Sequence, residues 1–222
     1  LLGLSIGAGD EVITTPMTAF ATILAIIRCG AKPVLADIDS ETALLSTESV
    51  RRCLTPKTKA VVLVHLYGQV RQMDKWVNFC EENNIMLIED CAQAHKATWQ
   101  GKVAGCFGQA GAYSFYPTKN LGAVGDAGML VTNNSTLAEK ARQLRNYGQS
   151  ERYLHPVTGM NSRLDEIQAA MLSELMKWLP EFTKRRRQIA SSYHSKIDNT
   201  LVRQLIKPED RLSHVYHLFV IT

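Results

Sequence analysis

The segment AVVLVHL, residues 60–66, is a continuous run of apolar and mostly β-branched side chains. Such a run is typical of a strand that is buried on both faces, as occurs in parallel sheets covered by helices. The segment IMLIE, residues 85–89, has the same character and ends at Asp90. These two segments therefore predict an α/β fold around a mostly parallel sheet.

Strand patterns alternate with helix patterns along the rest of the chain, which implies helices on both faces of that sheet. A boundary near Pro180 is predicted, because the sheet pattern gives way there to long helices. Leu164, Ile167, Met171, Leu175 and Trp178 repeat at helical spacing, which indicates a core face or a subunit interface. The predicted strands are 11–15, 33–38, 60–66, 85–89, 110–116 and 129–132, and the predicted helices are 18–29, 47–54, 73–84, 137–146, 164–178 and 180–195.

Composition excludes several classes of protein. The 222 residues are 45% hydrophobic and 21% charged with a net charge of +4, which is typical of a soluble globular protein. No basic stripe with interleaved aromatics indicates nucleic-acid binding, and no apolar run approaches the roughly 18 residues of a membrane span. Five cysteines without a C-x-x-C pair favour reduced thiols in the cytoplasm over disulfides or a metal site. We expect the chain to be a fragment, since it starts without Met and stops within VYHLFVIT, residues 215–222.

Polar residues follow the predicted strands at the points where those strands end. Because the carboxyl ends of parallel strands meet at one edge of a sheet, we expect the side chains there to lie near one another and to form a ligand site. These residues are Thr18 and Thr22, then His65, Tyr67, Gly68 and Gln69, then Asp90 and Gln93, and finally Ser114, Thr118, Lys119 and Asn120.

Lys119 lies in SFYPTKNLGAVGDAG, residues 114–128, a glycine-rich loop directly after an apolar strand. Taken singly, Asp90 could be a helix cap, Lys119 a solvated loop lysine, and His65 a hydrogen-bonded residue near the core. An acid and a lysine at the same sheet edge suit pyridoxal 5′-phosphate (PLP). A lysine forms a Schiff base with its aldehyde, and an aspartate keeps its pyridine nitrogen protonated.

Seven blocks of the sequence resemble, in order and spacing, the DegT/DnrJ/EryC1/StrS family of sugar aminotransferases, from about residue 5 to the end. The resemblance implies the PLP-dependent transferase fold type I, with a mostly parallel seven-stranded sheet in its large domain. The blocks are GAGDEVITTPMTAFAT (7–22), GAKPVLADID (30–39), TPKTKAVVLVHLYGQ (55–69), IEDCAQAHKA (88–97), GAYSFYPTKNLGAVGDAGMLVTN (111–133), LRNYGQ (144–149) and GMNSRLDEIQAA (159–170).

The resemblance assigns a role to five residues. Lys119 matches the lysine that binds the cofactor and moves the proton between cofactor and substrate carbons. Asp90 matches the partner of the pyridine nitrogen, and Gln93 the residue against the ring near its hydroxyl. Ser114 matches a phosphate ligand. Asn161 matches a phosphate contact that family dimers supply from the neighbouring subunit.

The sequence departs from the family pattern in three respects. The family's phosphate-binding turn would precede residue 1, and Ala19 occupies the position of an aromatic that stacks on the cofactor ring. The small C-terminal domain would begin near residue 215, where His217 lies in a position that could face a substrate. We therefore expect a PLP-binding large domain at 1–179, lacking its N-terminal part, and a connecting helix with the truncated start of the small domain at 180–222.

The resemblance implies a cytoplasmic, homodimeric PLP-dependent aminotransferase with shared active sites. It would move an amino group from glutamate to a keto-sugar in nucleotide-linked form, in amino-sugar biosynthesis. One alternative is a PLP-dependent sugar dehydratase, although a histidine replaces the lysine in that branch. Another is a catalytically silent sensor or regulator on the same fold. No metal, nucleic acid or membrane is implied.

Overall fold

The two apolar segments form adjacent parallel strands at the centre of a six-stranded sheet. They are β3, Thr58–Val64, and β4, Met86–Asp90, with Val61 opposite Leu87. The structure is a computed structural model that describes all 222 residues. The other elements are β1 Glu11–Thr14, α1 Phe20–Arg28, β2 Lys32–Leu35, α2 Thr47–Cys53, α3 Met73–Glu82, β5 Thr98–Trp99, β6 Lys102–Val103, β7 Ala110–Ser114, β8 Gly128–Val131, α4 Ser135–Leu144 and α5 Glu166–Lys196, with short 3₁₀ turns at Leu2–Leu4, Leu66–Gly68 and Arg211–Ser213.

The strand order in the sheet is β2-β1-β3-β4-β7-β8. The first five strands are parallel, and only β8 runs antiparallel to its neighbour β7. The predicted α/β class with a mostly parallel sheet is therefore confirmed. This chain contributes six strands to the sheet, rather than the seven expected for the large domain.

Both faces of the sheet carry a buried apolar layer, as the unbroken apolar runs predict. Alternate residues of one strand point to opposite faces, so Val61 and Val62 enter different layers. Val61 belongs to the larger layer, which includes Met73, Trp76 and Phe79 of α3, whereas Val62 packs in a layer with Ile26 of α1. The carboxyl ends of the strands thus rest on a rigid two-sided core.

Helix α5 is a single helix of 31 residues, whereas the sequence predicts two helices separated at Pro180. A proline inside a helix removes one backbone hydrogen bond. Leu179 before it packs in the Phe115 cluster and Thr183 after it is also buried, so packing on both sides holds the helix together. The division at 179/180 stays a prediction. Ile167 and Trp178, from the predicted apolar stripe, are 76% and 61% exposed, so that part of the stripe is surface in this chain.

Sequence patterns missed the short hairpin of β5 and β6, because two-residue strands are too short to show a period. None of the helices has the length and apolar character that crossing a membrane requires.

A buried carboxylate, Glu89 of β4, holds the crossover between β4 and β7. Its oxygens accept hydrogen bonds from the backbone amides of Gly105, Phe107 and Gly108 at 2.7–2.9 Å and contact His65 Nε2 at 2.9 Å. Burial raises the pKa of the Glu89 carboxyl, but its bond to His65, the charge of that ring and the amide hydrogen bonds outweigh this effect. The net pKa lies below the ordinary value of 4.5.

We expect Glu89→Gln to lower the free energy of unfolding by about 3 kcal/mol, since the amide NH₂ would face backbone donors in a buried site. Because the pKa is lowered in the folded state, this stabilisation is present above the unfolded pKa and is lost as pH falls through the folded pKa. Urea unfolding at pH 7 and pH 4 measures both effects. Glu48→Gln, which breaks an exposed pair with Lys75, is the matched control and should cost less than about 0.5 kcal/mol. Equal losses in the two variants would contradict the role given to Glu89.

Candidate active site

The carboxylate of Asp90 lies at the carboxyl end of β4, where the sequence predicts a ligand site. Its Oδ2 accepts a hydrogen bond from the Thr22 hydroxyl at 2.7 Å, and its Oδ1 accepts one from the Ala92 amide at 3.1 Å. The Thr22 hydroxyl is in turn 2.9 Å from that of Thr18. Asp90 forms no salt bridge. The carboxylate is therefore oriented by hydrogen bonds, but its negative charge has no cationic side chain beside it.

Gln93 fixes the turn that follows β3. Its Oε1 accepts a hydrogen bond from the Tyr67 backbone amide at 2.5 Å, and Tyr67 has a positive φ of 61°. At the next residue, Gly68, a Cβ would lie 2.7 Å from Val215 Cγ2 and 2.8 Å from the Gln93 carbonyl oxygen. Only glycine fits at that position, so this turn, Gln93 and the segment around Val215 are held in close contact.

Lys119 lies on a loop that folds back on itself after β7. The Lys119 amide donates to the Tyr116 carbonyl at 2.8 Å, and the Ala123 amide donates to the Phe115 carbonyl at 2.7 Å. A Cβ on Gly122 would lie 2.5 Å from the Pro117 carbonyl oxygen, so the fold-back requires glycine there. The bend thus fixes the backbone of Lys119 at the sheet edge, although its half-buried side chain forms no salt bridge.

A C-terminal segment, residues 213–217 and here called the strap, crosses this edge beside Lys119. Its Val215 amide donates to the Gly68 carbonyl at 3.0 Å, and its His217 amide donates to the Tyr67 carbonyl at 2.9 Å. Its Val215 carbonyl and His217 ring both contact the side chain of Asn120, the residue next to Lys119. The strap therefore joins the turn after β3 to the lysine loop.

Sequence reasoning gave no role to Asn120, and it did not single out His95. His95 is buried and its Nε2 donates to the Ser114 carbonyl at 2.9 Å, which leaves its buried Nδ1 without a partner. Burial lowers the pKa of His95 to about 4, and the charge of Lys119 acts in the same direction. In the sequence, only their position close to predicted site residues pointed to them, since Asn120 follows Lys119 and His95 lies two residues after Gln93. Their partners are remote in sequence, so no local pattern could have found them.

His65, expected at the rim, lies in the core, and Asn161, expected to act in a neighbouring subunit, lies away from the other predicted site residues of its own chain. His65 is 2% exposed and contacts Glu89, so it belongs to the core and offers nothing to a ligand at the rim. Asn161 is exposed, pairs with Asn146 in an isolated bridge and accepts from Arg163 at 3.1 Å. It contacts none of the other predicted site residues within this chain. Ser114 is half-buried at the end of β7, and its hydroxyl accepts from the Tyr116 amide at 3.2 Å.

The position expected to carry a ring-stacking aromatic is at the start of α1. Ala19 is the exposed residue that precedes the helix, with φ −64° and ψ 140°. Phe20 is the first helical residue and is 65% exposed.

Comparisons with known proteins identify the family of this chain. The sequence profile of the DegT/DnrJ/EryC1/StrS aminotransferase family matches residues 1–222. The chain belongs to that family. It is 45% identical over 218 residues to the pleiotropic regulatory protein of Geobacillus stearothermophilus, covering 97% of this chain and 59% of the relative. It is also 45% identical over 216 residues to dTDP-3-amino-3,6-dideoxy-alpha-D-galactopyranose transaminase of Aneurinibacillus thermoaerophilus, with the same two coverages.

Among solved structures of the family, the chain resembles that of S. venezuelae DesV in complex with a ketimine intermediate. The TM-score is 0.93 and the identity 39%, covering 100% of this chain and 60% of DesV. The family resemblance and the fold expected from it are thus confirmed. The chain spans about 60% of the length of the relatives it matches.

The residues at this edge fit the cofactor of the family, PLP. Asp90 offers an oriented carboxylate without a cationic partner, which suits a pyridinium N–H. Lys119 offers a half-buried amine free of salt bridges, which suits an aldehyde. Both groups lie at the carboxyl edge of one sheet, at the ends of the adjacent parallel strands β4 and β7.

Proposed function

We propose that the protein is a PLP-dependent aminotransferase that moves an amino group from glutamate to a nucleotide-linked keto-sugar, in amino-sugar biosynthesis in the cytoplasm. The observation that supports this most directly is the presence of both Lys119 and Asp90 at the carboxyl edge of one sheet, in a member of this aminotransferase family. The relative from Aneurinibacillus thermoaerophilus is named as a nucleotide-sugar transaminase, which supports the substrate class.

Bound PLP supplies an electron sink that stabilises negative charge on the substrate carbon. In the proposed reaction Lys119 would hold the cofactor until the amine of glutamate displaces it, and the freed lysine amine would then take the proton from the α-carbon of glutamate. Asp90 would keep a proton on the ring nitrogen, with Thr22 and the Ala92 amide orienting its carboxylate. Gln93 would hold the ring, and Ser114 would hold the phosphate together with Asn161 of a second copy. After release of 2-oxoglutarate, Lys119 would serve the keto-sugar as the proton donor and acceptor in the reverse sense.

Two other activities fit the fold less well. A sugar dehydratase of this family carries a histidine in place of the lysine, whereas this chain has Lys119. A regulator without chemistry is suggested by the name of the Geobacillus stearothermophilus relative. Retention of Lys119 and Asp90 favours the enzyme, because a silent regulator has no need for either group. The complete protein should therefore be yellow when purified with PLP and lose the colour on addition of glutamate.

The substrate class is tested by a panel of amino acceptors with glutamate as donor. Amino-acid aminotransferases commonly hold the second carboxylate with an arginine. In this chain Arg71 is engaged by Gln69 and the Ile206 carbonyl, and Arg163 by Asn161. We expect keto-hexoses linked to dTDP or UDP to support release of 2-oxoglutarate at least about 100-fold faster than simple 2-oxo acids, since neither of these two arginines is free to hold the carboxylate of an acceptor. Faster turnover of pyruvate or phenylpyruvate than of every keto-sugar would refute the sugar assignment.

We also propose that the active form is a homodimer with shared sites. Ile167, Trp178 and Phe182 form an exposed apolar face on α5, and Asn161 lies just before this helix without contacting the site of its own chain. Docking of a second copy would bury that face and bring its Asn161 to the phosphate.

Subunit mixing tests this arrangement. Lys119→Ala and Asn161→Ala should each be inactive, yet a 1:1 mixture after subunit exchange should regain about a quarter of wild-type activity, because half of the dimers then hold one intact site. The assay is 2-oxoglutarate release before and after exchange, which mass spectrometry verifies. Mixing Lys119→Ala with itself is the control, and a mixture that stays inactive after verified exchange would contradict shared sites.

A further inference from the structure

The ring of His217 is fixed beside Lys119 in one tautomer. Asn120 Nδ2 donates to the Val215 carbonyl at 3.2 Å, and a carbonyl only accepts, so the amide orientation of Asn120 is set. Its Oδ1 therefore faces His217 Nδ1 at 2.9 Å, and that nitrogen must carry the hydrogen. The other ring nitrogen, Nε2, then carries a lone pair.

The Nε2 of His217 is available to a ligand. It has no hydrogen-bond partner, and it is not among the buried polar atoms that lack one, so it reaches the surface. Burial lowers the pKa of His217 to about 4, and the charges of Lys119 and Arg186 act in the same direction. The imidazole is thus neutral near pH 7, and Nε2 acts only as a hydrogen-bond acceptor.

The backbone of His217 is held as firmly as its ring. Its amide donates to the Tyr67 carbonyl at 2.9 Å. Its carbonyl accepts from Arg186 Nη1 of α5 at 3.1 Å, and the same Nη1 contacts the Tyr216 carbonyl at 3.2 Å. A side chain tied at its amide, its carbonyl and one ring nitrogen is pre-organised to present the other nitrogen. A purely structural histidine would need no free acceptor.

Lys119 lies close enough to His217 for its charge to lower the pKa of that ring, so a ligand at Lys119 has a neutral acceptor nearby, and this acceptor selects the chemistry of the ligand. It pairs with a hydroxyl and repels a carboxylate, because a carboxylate is itself only an acceptor at neutral pH. Keto-sugars carry hydroxyls on carbons that flank the reacting carbonyl, whereas the amino donor glutamate carries carboxylates. The acceptor on His217 therefore suits the second substrate of the proposed reaction and not the first.

We propose that His217 is a specificity residue whose Nε2 accepts a hydrogen bond from a sugar hydroxyl next to the carbon that receives the amine. This inference rests on the proposed function, since it assumes a sugar substrate. The strap, through Asn120 and Arg186, positions this acceptor.

Two substitutions separate the two ring nitrogens. His217→Asn keeps a donor near the position of Nδ1, so the tie to Asn120 is retained while the outer acceptor is lost. His217→Gln places an amide near the position of Nε2, so an acceptor is restored while the tie is lost. His194→Asn is the control, because His194 packs against Tyr216 and Phe219 from α5 and makes its own bond to Gln204. Any loss of affinity in His194→Asn therefore measures the effect of disturbing the strap without changing His217.

Calorimetry with the complete PLP-loaded protein measures the Kd of dTDP-3-amino-3,6-dideoxy-α-D-galactose and of its 2-deoxy and 4-deoxy counterparts. We expect His217→Asn to weaken binding of the parent sugar about 5- to 10-fold, and His217→Gln to weaken it less. One of the two deoxy sugars lacks the hydroxyl that His217 contacts. That sugar should bind wild type as weakly as the parent sugar binds His217→Asn, and its Kd should be the same in wild type and in the variant. The single-turnover rate with glutamate should stay within about twofold of wild type in every variant.

Any of three results would overturn the inference. The first is that His217→Asn binds the parent sugar with the same Kd as wild type. The second is that His217→Asn weakens binding of both deoxy sugars as much as it weakens binding of the parent, and the third is that His194→Asn weakens binding of the parent sugar to the same extent. A wild-type protein that reacts with glutamate but binds none of the sugars overturns the proposed sugar substrate and the inference with it. A wild-type protein that also fails to react with glutamate overturns the aminotransferase assignment itself.

Discussion

Replacing Lys119 by alanine should abolish transamination, with a loss of at least about a thousandfold in turnover. The amine of Lys119 is the group that attaches the cofactor and carries the proton in the proposed reaction, and no other lysine lies on the fold-back loop after β7. The measurement combines 2-oxoglutarate release with borohydride reduction of the PLP-loaded protein, followed by peptide mapping.

Wild type should yield a single reduced adduct on the peptide that contains Lys119, and the variant should yield none. Lys140→Ala is the control, since Lys140 is exposed on α4 and should leave both readouts unchanged. If an adduct persists on another lysine in Lys119→Ala, the cofactor is attached to that lysine, and the proposed mechanism is wrong.

Replacing Asp90 by asparagine should lower turnover by about a hundredfold or more, while PLP still binds. The neutral amide keeps the size of the side chain and can retain the hydrogen bonds from Thr22 and the Ala92 amide. It no longer stabilises a proton on the ring nitrogen, so charge that develops in the transition state is less well accommodated. Absorbance of bound PLP and turnover with glutamate measure the two effects separately.

Asp74→Asn is the matched control for Asp90→Asn. Asp74 is an exposed carboxylate on α3 that accepts a hydrogen bond from Trp99 Nε1, and it lies at the start of a helix and not at the end of a strand. Its substitution should leave turnover within about twofold of wild type. If Asp90→Asn keeps near-normal turnover, its carboxylate serves only to cap the turn through the Ala92 amide.

The sheet and much of the rim were predictable because they depend on local patterns. Unbroken apolar runs identify β3 and β4 as doubly covered strands, and Asp90 follows from its place at the end of β4. The continuity of α5 was not predictable, because local rules end a helix at Pro180 and only its packing on the Phe115 cluster overrides them. The core position of His65 follows from its contact with Glu89. This contact was not predictable, because Glu89 is buried only through its hydrogen bonds to backbone amides of the crossover, which lie 16 to 19 residues further along the chain.

The placement of Lys119 and Asp90 at one edge follows from the parallel direction of β4 and β7, which the alternating strand and helix patterns predict and the structure confirms. The bonds of Asn120 to the strap had no sequence signal, because its partners lie about a hundred residues further along the chain. Asn161 shows the converse case. A motif assigned it a role, yet within one copy of the chain its contacts are only with its own neighbourhood.

The link between Asn120 and Val215 also governs when the site comes into being during biosynthesis. These residues are separated by 95 positions, whereas the loop around Lys119 closes through bonds that span fewer than ten. Closing a long loop costs more entropy and is slower, so the local fold-back forms early and the strap docks late. On the ribosome, the sheet and the lysine loop can therefore form before the strap has been synthesised, and the contacts of Asn120 are completed only after residue 217 has left the exit tunnel.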